Sequence, residues 1–271
     1  MSGVLVVTGV ELAKISAQWR VRLALLVVLA GPPLVTVVLQ AQTGLPTDTL
    51  YGRWVQEIGL AIPLVLLGGA GVIAVPLLAA LVAGDVLSAE DQYGTWGALL
   101  TRSRTRWEVF AGKALAAGLC TVALILSLAV SAVLSGVLLV GRDDLVGLTG
   151  ASVPFHRALL LVAVAWLSTL PTALALSALA LLASAASRSS VVGVVGPVVL
   201  ALVLHLVSLL APLGAVRPLL LLPGLTAWHG LLTAGGGSAG MLQALAVSAG
   251  WTAAALGATV LVLRRRDWAV P

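Results

Sequence analysis

Apolar runs and short charged islands alternate along this chain, and the run lengths set its organisation. Six runs are near or above the ~20 residues that an α-helix needs to cross a bilayer. They are Leu23 to Leu39, Ile58 to Ala83, Ala114 to Val140, Ala158 to Ala183, Val191 to Ala211 and Met241 to Leu263. The first is the shortest and contains Pro32-Pro33; Pro63, Pro76, Pro171 and Pro197 interrupt three others. Neighbouring helices can satisfy the carbonyls that proline frees, so these read as kinks within spans. Ahead of the first run, Val4 to Arg22 interleaves Val7, Val10, Leu12, Ile15 and Trp19 with Glu11, Lys14, Arg20 and Arg22. That segment is too charged to span. It is predicted to lie as an amphipathic helix on the membrane surface, making residues 1–22 an interfacial unit and 23–271 a six-helix transmembrane domain. The run after Arg22 is too long for the core of a cleavable signal, and no clear cleavage site follows it.

The longest charged island, Gly84 to Lys113, holds Asp85, Glu90, Asp91, Arg102, Arg104, Arg106, Glu108 and Lys113. Ser88-Ala-Glu-Asp91 and Thr105-Arg-Trp-Glu108 both have the capping-box pattern of a helix start. Val86, Ala89, Tyr93, Trp96 and Leu100 recur at steps of three and four, predicting a short helix with one apolar face. Glu90 and Asp91 at its front and Arg102 past its end suit the helix dipole. Gly94 costs such a helix about 1 kcal/mol relative to Ala, and is expected to mark a close backbone approach.

Composition narrows the class. The chain is 60% hydrophobic and only 9% charged, where a soluble domain carries about 25% charged residues. It is therefore an all-α polytopic membrane protein; few aromatics and many small residues fit close-packed helices better than a β-barrel. No polar stretch is long enough to enclose a soluble core. Cys120 stands alone, so no disulfide forms within the chain.

The net charge of +5 reads as an orientation signal, not a nucleic-acid surface. With the N-terminus inside, the inner segments hold 11 of the 15 basic residues: Lys14, Arg20, Arg22, Arg102, Arg104, Arg106, Lys113, Arg188, Arg264, Arg265 and Arg266. The outer segments hold 4: Arg53, Arg142, Arg157 and Arg217. Both termini and the Gly84 to Lys113 island are then expected in the cytoplasm. On the outer side, the apolar Leu213 to Leu222 run is too short to span and is broken by Pro218 and Pro223. It is expected to form re-entrant or interfacial half-helices, with Trp228 and His229 at headgroup depth; a plain hydrophobic loop packed on the bundle is the other reading.

Chemistry-bearing motifs are scarce. The chain has no phosphate loop, and Gly68-Gly-Ala-Gly71 lacks the lysine and lies within a span, where close helix packing is its expected use. Neither a catalytic triad nor an adequate set of metal ligands can be drawn. His205 is the one ionisable side chain well inside a span, and so a candidate for the substrate pathway. Ala123, Ser127, Ser131 and Ser135 place a smooth stripe on the third span, suited to a neighbouring helix or a second protomer.

The island Glu90-Asp-Gln-Tyr-Gly94-Thr95, then Leu99-Leu100-Thr-Arg-Ser-Arg104-Thr-Arg106-Trp, then Gly112-Lys113, resembles the cytoplasmic motif of ABC-2 type transporter permeases. The layout is also similar: an amphipathic N-terminal helix, six spans, a coupling helix between spans two and three and broken apolar helices between five and six, as in type V ABC exporters. Ser103 and Thr105 flank Arg104 where many relatives have proline. The resemblance implies a permease of a bacterial plasma membrane that pairs with a second copy or a paralogue and is surrounded by lipid. Two separate ATPase subunits would bind ATP and magnesium, so this chain would need no cofactor of its own. Glu90, Tyr93, Gly94, Thr95, Trp96, Leu100, Arg102, Arg104 and Arg106 would form the ATPase interface. Of these, Tyr93, Trp96 and Leu100 would supply the apolar face, and Glu90 and the arginines the charged rim. The cargo is expected to be lipophilic or amphipathic. The competing classes are an intramembrane lipid-modifying enzyme, which would need polar residues converging at one depth, and an assembly or anchoring subunit without transport.

Overall fold

Apolar faces that water would not tolerate are shared here among long helices. The computed structural model describes residues 3–42, 50–96, 105–147, 150–208, 219–232 and 238–265. Among these, six segments are long and apolar enough to cross a membrane, and the protein is an all-α polytopic membrane protein. Helix α1 (Gly3–Ala17) is followed by the first span, α2 (Trp19–Gln40). The helix break is at Gln18, so Arg20 and Arg22, read in sequence as part of the surface helix, instead open the span. Helix α3 (Leu50–Glu57) leads into α4 (Ala61–Gly69) and α5 (Gly71–Ala83), then the short α6 (Ser88–Gln92). Spans three and four are α7 (Arg106–Leu139) and α8 (Phe155–Ser187); α9 (Ser190–Ser208) and α10 (Ala239–Arg264) complete the set.

The predicted single span from Ile58 to Ala83 is thus two helices, broken at Ala70. Glycines favour such kinks. A Cβ on Gly69 would meet nothing and one on Gly68 would make only ordinary 3.5 Å contact with Trp228, but one on the buried Gly71 would fall 3.2 Å from Leu67 of the preceding helix, so in this run close packing is confined to Gly71 at the bend. Close approach occurs at other glycines. Gly84 at the end of α5 meets Gly193 of α9, where a Cβ would fall 2.5 Å from the Gly193 carbonyl carbon. Toward the other end of α7, Gly136 abuts Gly59, and a Cβ on Gly136 would fall 3.2 Å from the Ile62 Cβ.

Helices α5, α7 and α8 form the centre of the bundle. Helix α2 lies along α7, α9 against α5 and α8, and α10 along α8. One core cluster, with Ile15, Leu87, Phe110 and Leu181, lies at the end carrying α1; another, with Trp54, Leu145, Trp166 and Trp228, lies towards the opposite end. Hydroxyls stitch the helices across the apolar interior. Ser131 donates to the Leu29 carbonyl at 2.7 Å, and Thr36 donates to Ser135 at 3.2 Å. Half of the predicted small-residue stripe on α7 therefore packs within the chain, against α2. Thr172 of α8 and Ser248 of α10 pair at 3.1 Å.

At the end opposite α1, a two-stranded antiparallel ladder pairs Leu145 with Val153 and Val146 with Ser152. Between α9 and α10, residues Leu222–Leu225 and Ala227–Leu232 form two short 3-10 helices packed on α8. Trp228, expected at headgroup depth, is buried in the core at 2% exposure; only His229, stacked on it at 4.0 Å, is exposed. Most of the predicted Leu213 to Leu222 element lies outside the described residues.

Filling a glycine contact tests this packing. Gly136→Val is expected to lower the thermal midpoint of the detergent-solubilised protein by several degrees, since overpacking costs about 1–3 kcal/mol. Gly250→Ala, in open space within α10, is expected to leave it unchanged or raise it, because Ala is the better helix former. A thermal unfolding curve checks both.

Candidate functional site

The charged island folds into a short, bent element clamped on several sides. Helix α6 has only five residues. It stops because Gly94 takes a left-handed conformation, φ +62°, and lets the Thr95 N–H reach back to the Glu90 carbonyl at 3.1 Å. That is a glycine-terminated helix end. The longer helix predicted through Leu100 is interrupted here, and a Cβ on Gly94 would meet nothing within 4 Å, where a close neighbour was expected. The predicted capping box at Ser88 does not form: Ser88 is fully buried and turned to the bundle. Its N–H donates to Ser184 Oγ at 2.9 Å, and its hydroxyl lies 3.1 Å from Ser190 Oγ. These contacts pin α6 to the turn between α8 and α9. The second capping box does form, with Glu108 N donating to Thr105 Oγ1 at 3.2 Å and Thr105 N donating to Glu108 Oε2 at 2.9 Å, and it starts α7.

The other side of α6 rests on a buried charge cluster. Lys113 of α7 is 1% exposed. Its ammonium lies 2.8 Å from Glu90 Oε1 and 2.9 Å from Glu11 Oε2, and donates to the Val86 carbonyl at 3.2 Å. Lys14 closes the group, 3.0 Å from Glu11 and 3.2 Å from Glu90. Thr95 Oγ1 donates to the second Glu90 oxygen. Two acids and two ammonium groups balance, and helices α1, α6 and α7 meet in one network. Beside it Arg20, at the head of α2, pairs with Asp85 in the turn after α5. Helix α1 is drawn close by a small residue: Thr8 donates to the Gly112 carbonyl at 3.3 Å, and a Cβ on Gly112 would fall 2.6 Å from Val7. Burial works against the charge on Lys14, but Glu11 and Glu90 more than offset it and hold its pKa above the ordinary lysine value. A raised pKa contributes stability in full below the unfolded value, about 10.4. That contribution is lost only as pH rises through the folded value, so this pairing persists across the physiological range.

The predicted interface residues separate into three groups. Tyr93, 79% exposed, and Gly94 form a projecting knuckle, with Thr95 exposed beside them. Trp96 is half-buried; it packs back on the core and donates from Nε1 to Asp91 at 3.0 Å. Arg106 is exposed at the first turn of α7. Glu90, expected on a charged rim, is instead turned inward at 6% exposure because Lys113 draws it there. Leu100, Arg102 and Arg104 lie outside the described residues. His205 lies far from this site, in the last described turn of α9. Its imidazole is half-buried and makes no hydrogen bond with another described residue. Glu11 was not anticipated as a partner. Its signal was the placement of two acids, Glu11 and Glu90, around the single lysine at the head of a span.

Residues 9–208 match the family model described as ABC-2 family transporter protein. A search of curated proteins returned no match to the chain.

Removing the ammonium while leaving both acids tests the cluster. Lys113→Met is expected to destabilise the protein by about 3–5 kcal/mol, the cost of leaving buried charges uncompensated. Adding Glu90→Gln to that variant is expected to recover part of the loss. Chemical denaturation of the purified variants measures both.

Proposed function

Because the chain belongs to the ABC-2 family of transporter proteins, the membrane components of ABC transporters, we propose that it is the permease subunit of an exporter driven through the Gly84 to Lys113 segment. In this reading separate ATPase subunits, two per complex, dock on that segment and hold the ATP and magnesium. The chain itself carries no cofactor and does no catalysis. It pairs with a second copy or a paralogue in a bacterial plasma membrane, both termini in the cytoplasm, as the distribution of basic residues favours. The cargo is lipophilic or amphipathic, in keeping with spans that carry few polar side chains.

The observation that carries this reading is the position of the Tyr93-Gly94 knuckle. It projects from an element that is itself bonded to α1, α7 and the α8–α9 turn. A push on a flexible loop would be absorbed locally. A push on this knuckle is passed to Glu90, from there to Lys113 and Lys14, and through Ser88 to Ser184. Closure of the ATPases thus has three helices to move as rigid bodies, a two-state repacking of the kind that interfaces support. The kink at Ala70 and the Gly84–Gly193 contact lie at the two ends of α5, the second directly before the element, and give α5 places to pivot.

Binding decides the matter. Tyr93→Asp removes an exposed ring without disturbing packing, and is expected to reduce co-purification with the ATPase at least about tenfold with the thermal midpoint unchanged. The double variant Trp96→Asp/Leu100→Asp is expected to abolish it. Full ATPase recovery with both variants, at wild-type ATP turnover, overturns the docking role.

A further inference from the structure

Where α7 and α10 meet at the α1 end of the bundle, they leave a pocket of about 80 Å³. Arg106 and Arg264 stand at it, and Trp96, Trp107, Phe110 and Leu263 line its walls. Trp107 and Phe110 also line the head of a larger groove of about 450 Å³ that continues between α7 and α8, with Leu256 of α10 beside it. The groove exists because the sequence is small there. Ala111, Ala114 and Gly118 follow each other at steps of three and four on α7, opposite Ala178 of α8. At Gly118 the two helices are in contact, a Cβ there falling 3.3 Å from the Leu174 side chain. From Trp107 to Val122 the groove runs roughly 22 Å along α7 at ~1.5 Å per residue. One leaflet of the ~30 Å hydrocarbon core is about 15 Å deep. The groove is therefore longer than one leaflet requires.

In a bilayer such a groove is filled, and its two ends say with what. Its length is hydrocarbon-lined. Its head carries two guanidiniums and two tryptophans, the side chains suited to headgroup depth. We propose that this seam binds an anionic phospholipid, the phosphate between Arg106 and Arg264 and one acyl chain along Ala111, Ala114 and Gly118. Guanidinium forks match phosphate oxygens in pairs of hydrogen bonds, and basic pockets between spans suit lipid headgroups. A second copy is the other occupant an apolar groove admits. Pairing about a two-fold axis through this face would bring four guanidiniums to one depth, which disfavours it. The inference rests on membrane insertion and not on where an ATPase docks.

Native mass spectrometry of the purified chain tests it, titrating phosphatidylglycerol or phosphatidylcholine with the same acyl chains. Phosphatidylglycerol is expected to be retained about tenfold or more tightly, from two cations near the surface. Arg106→Gln/Arg264→Gln is expected to reduce its retention to the phosphatidylcholine level. Ala114→Phe, which fills the groove, is expected to reduce both lipids. Arg264→Gln alone, at an exposed helix end, gives a smaller loss without risk to folding, and Arg142→Gln at the far end of α7 is the silent control. Equal retention of the two lipids, or retention untouched by the arginine variants, overturns the proposal. So does a disulfide between two copies carrying Ala114→Cys in a Cys120→Ala background, which would assign the groove to a second protomer.

Discussion

An ammonium group removed from water needs acids beside it, and that constraint organises one whole end of this protein. Lys113 has two carboxylates within 2.9 Å and a backbone carbonyl at 3.2 Å. Those carboxylates come from Glu11 and Glu90, which are about eighty residues apart in the chain. Satisfying one lysine therefore requires α1 to lie against α7 and α6 to fold back beneath them. Once they do, Lys14 and Thr95 take up the remaining carboxylate oxygens. A buried charge group of this kind adds little net stability compared with apolar packing, but every alternative arrangement leaves a bare charge. Its value is in specifying one geometry.

The rest of the bundle accommodates that geometry with small residues. Gly112 lets α1 approach α7, and Gly84 lets the exit of α5 touch α9. Serine and threonine hydroxyls then bond across helices, Ser131 to the Leu29 carbonyl and Thr172 with Ser248. In lipid no hydrophobic force favours one helix face over another, so close packing and such hydrogen bonds select the partners. The surface element is thereby built from both kinds of contact: ionic towards α1 and α7, hydroxylic towards α8 and α9. An element held in both ways is stiff, and a stiff element transmits displacement where a loose one dissipates it.

The membrane face of the same end has a different character. Arg106 and Arg264 look outward over an apolar seam, while Lys113 looks inward to acids. Residues a few positions apart on one helix thus face the surface and the interior, as the 3.6-residue repeat allows.

Run length and charge alone determined that this is a polytopic all-α membrane protein with six apolar helices long enough to span, a separate helix ahead of them and a charged island between spans two and three. Those features depend on the transfer of side chains between water and hydrocarbon, which each residue carries with it. The capping box at Thr105 was legible for the same reason: its hydrogen bonds are local. What the chain order could not reveal was direction. Glu90 belongs, by its place in the sequence, on a solvated rim, and Ser88 at a helix cap; both turn inward because Lys113 and Ser184 arrive there from distant segments. Gly94 ends a helix that the apolar spacing would have continued to Leu100, and Trp228 is buried because α8 offers it a wall. Each of these outcomes depends on a partner remote in sequence, and only the packed bundle decides which partner that is.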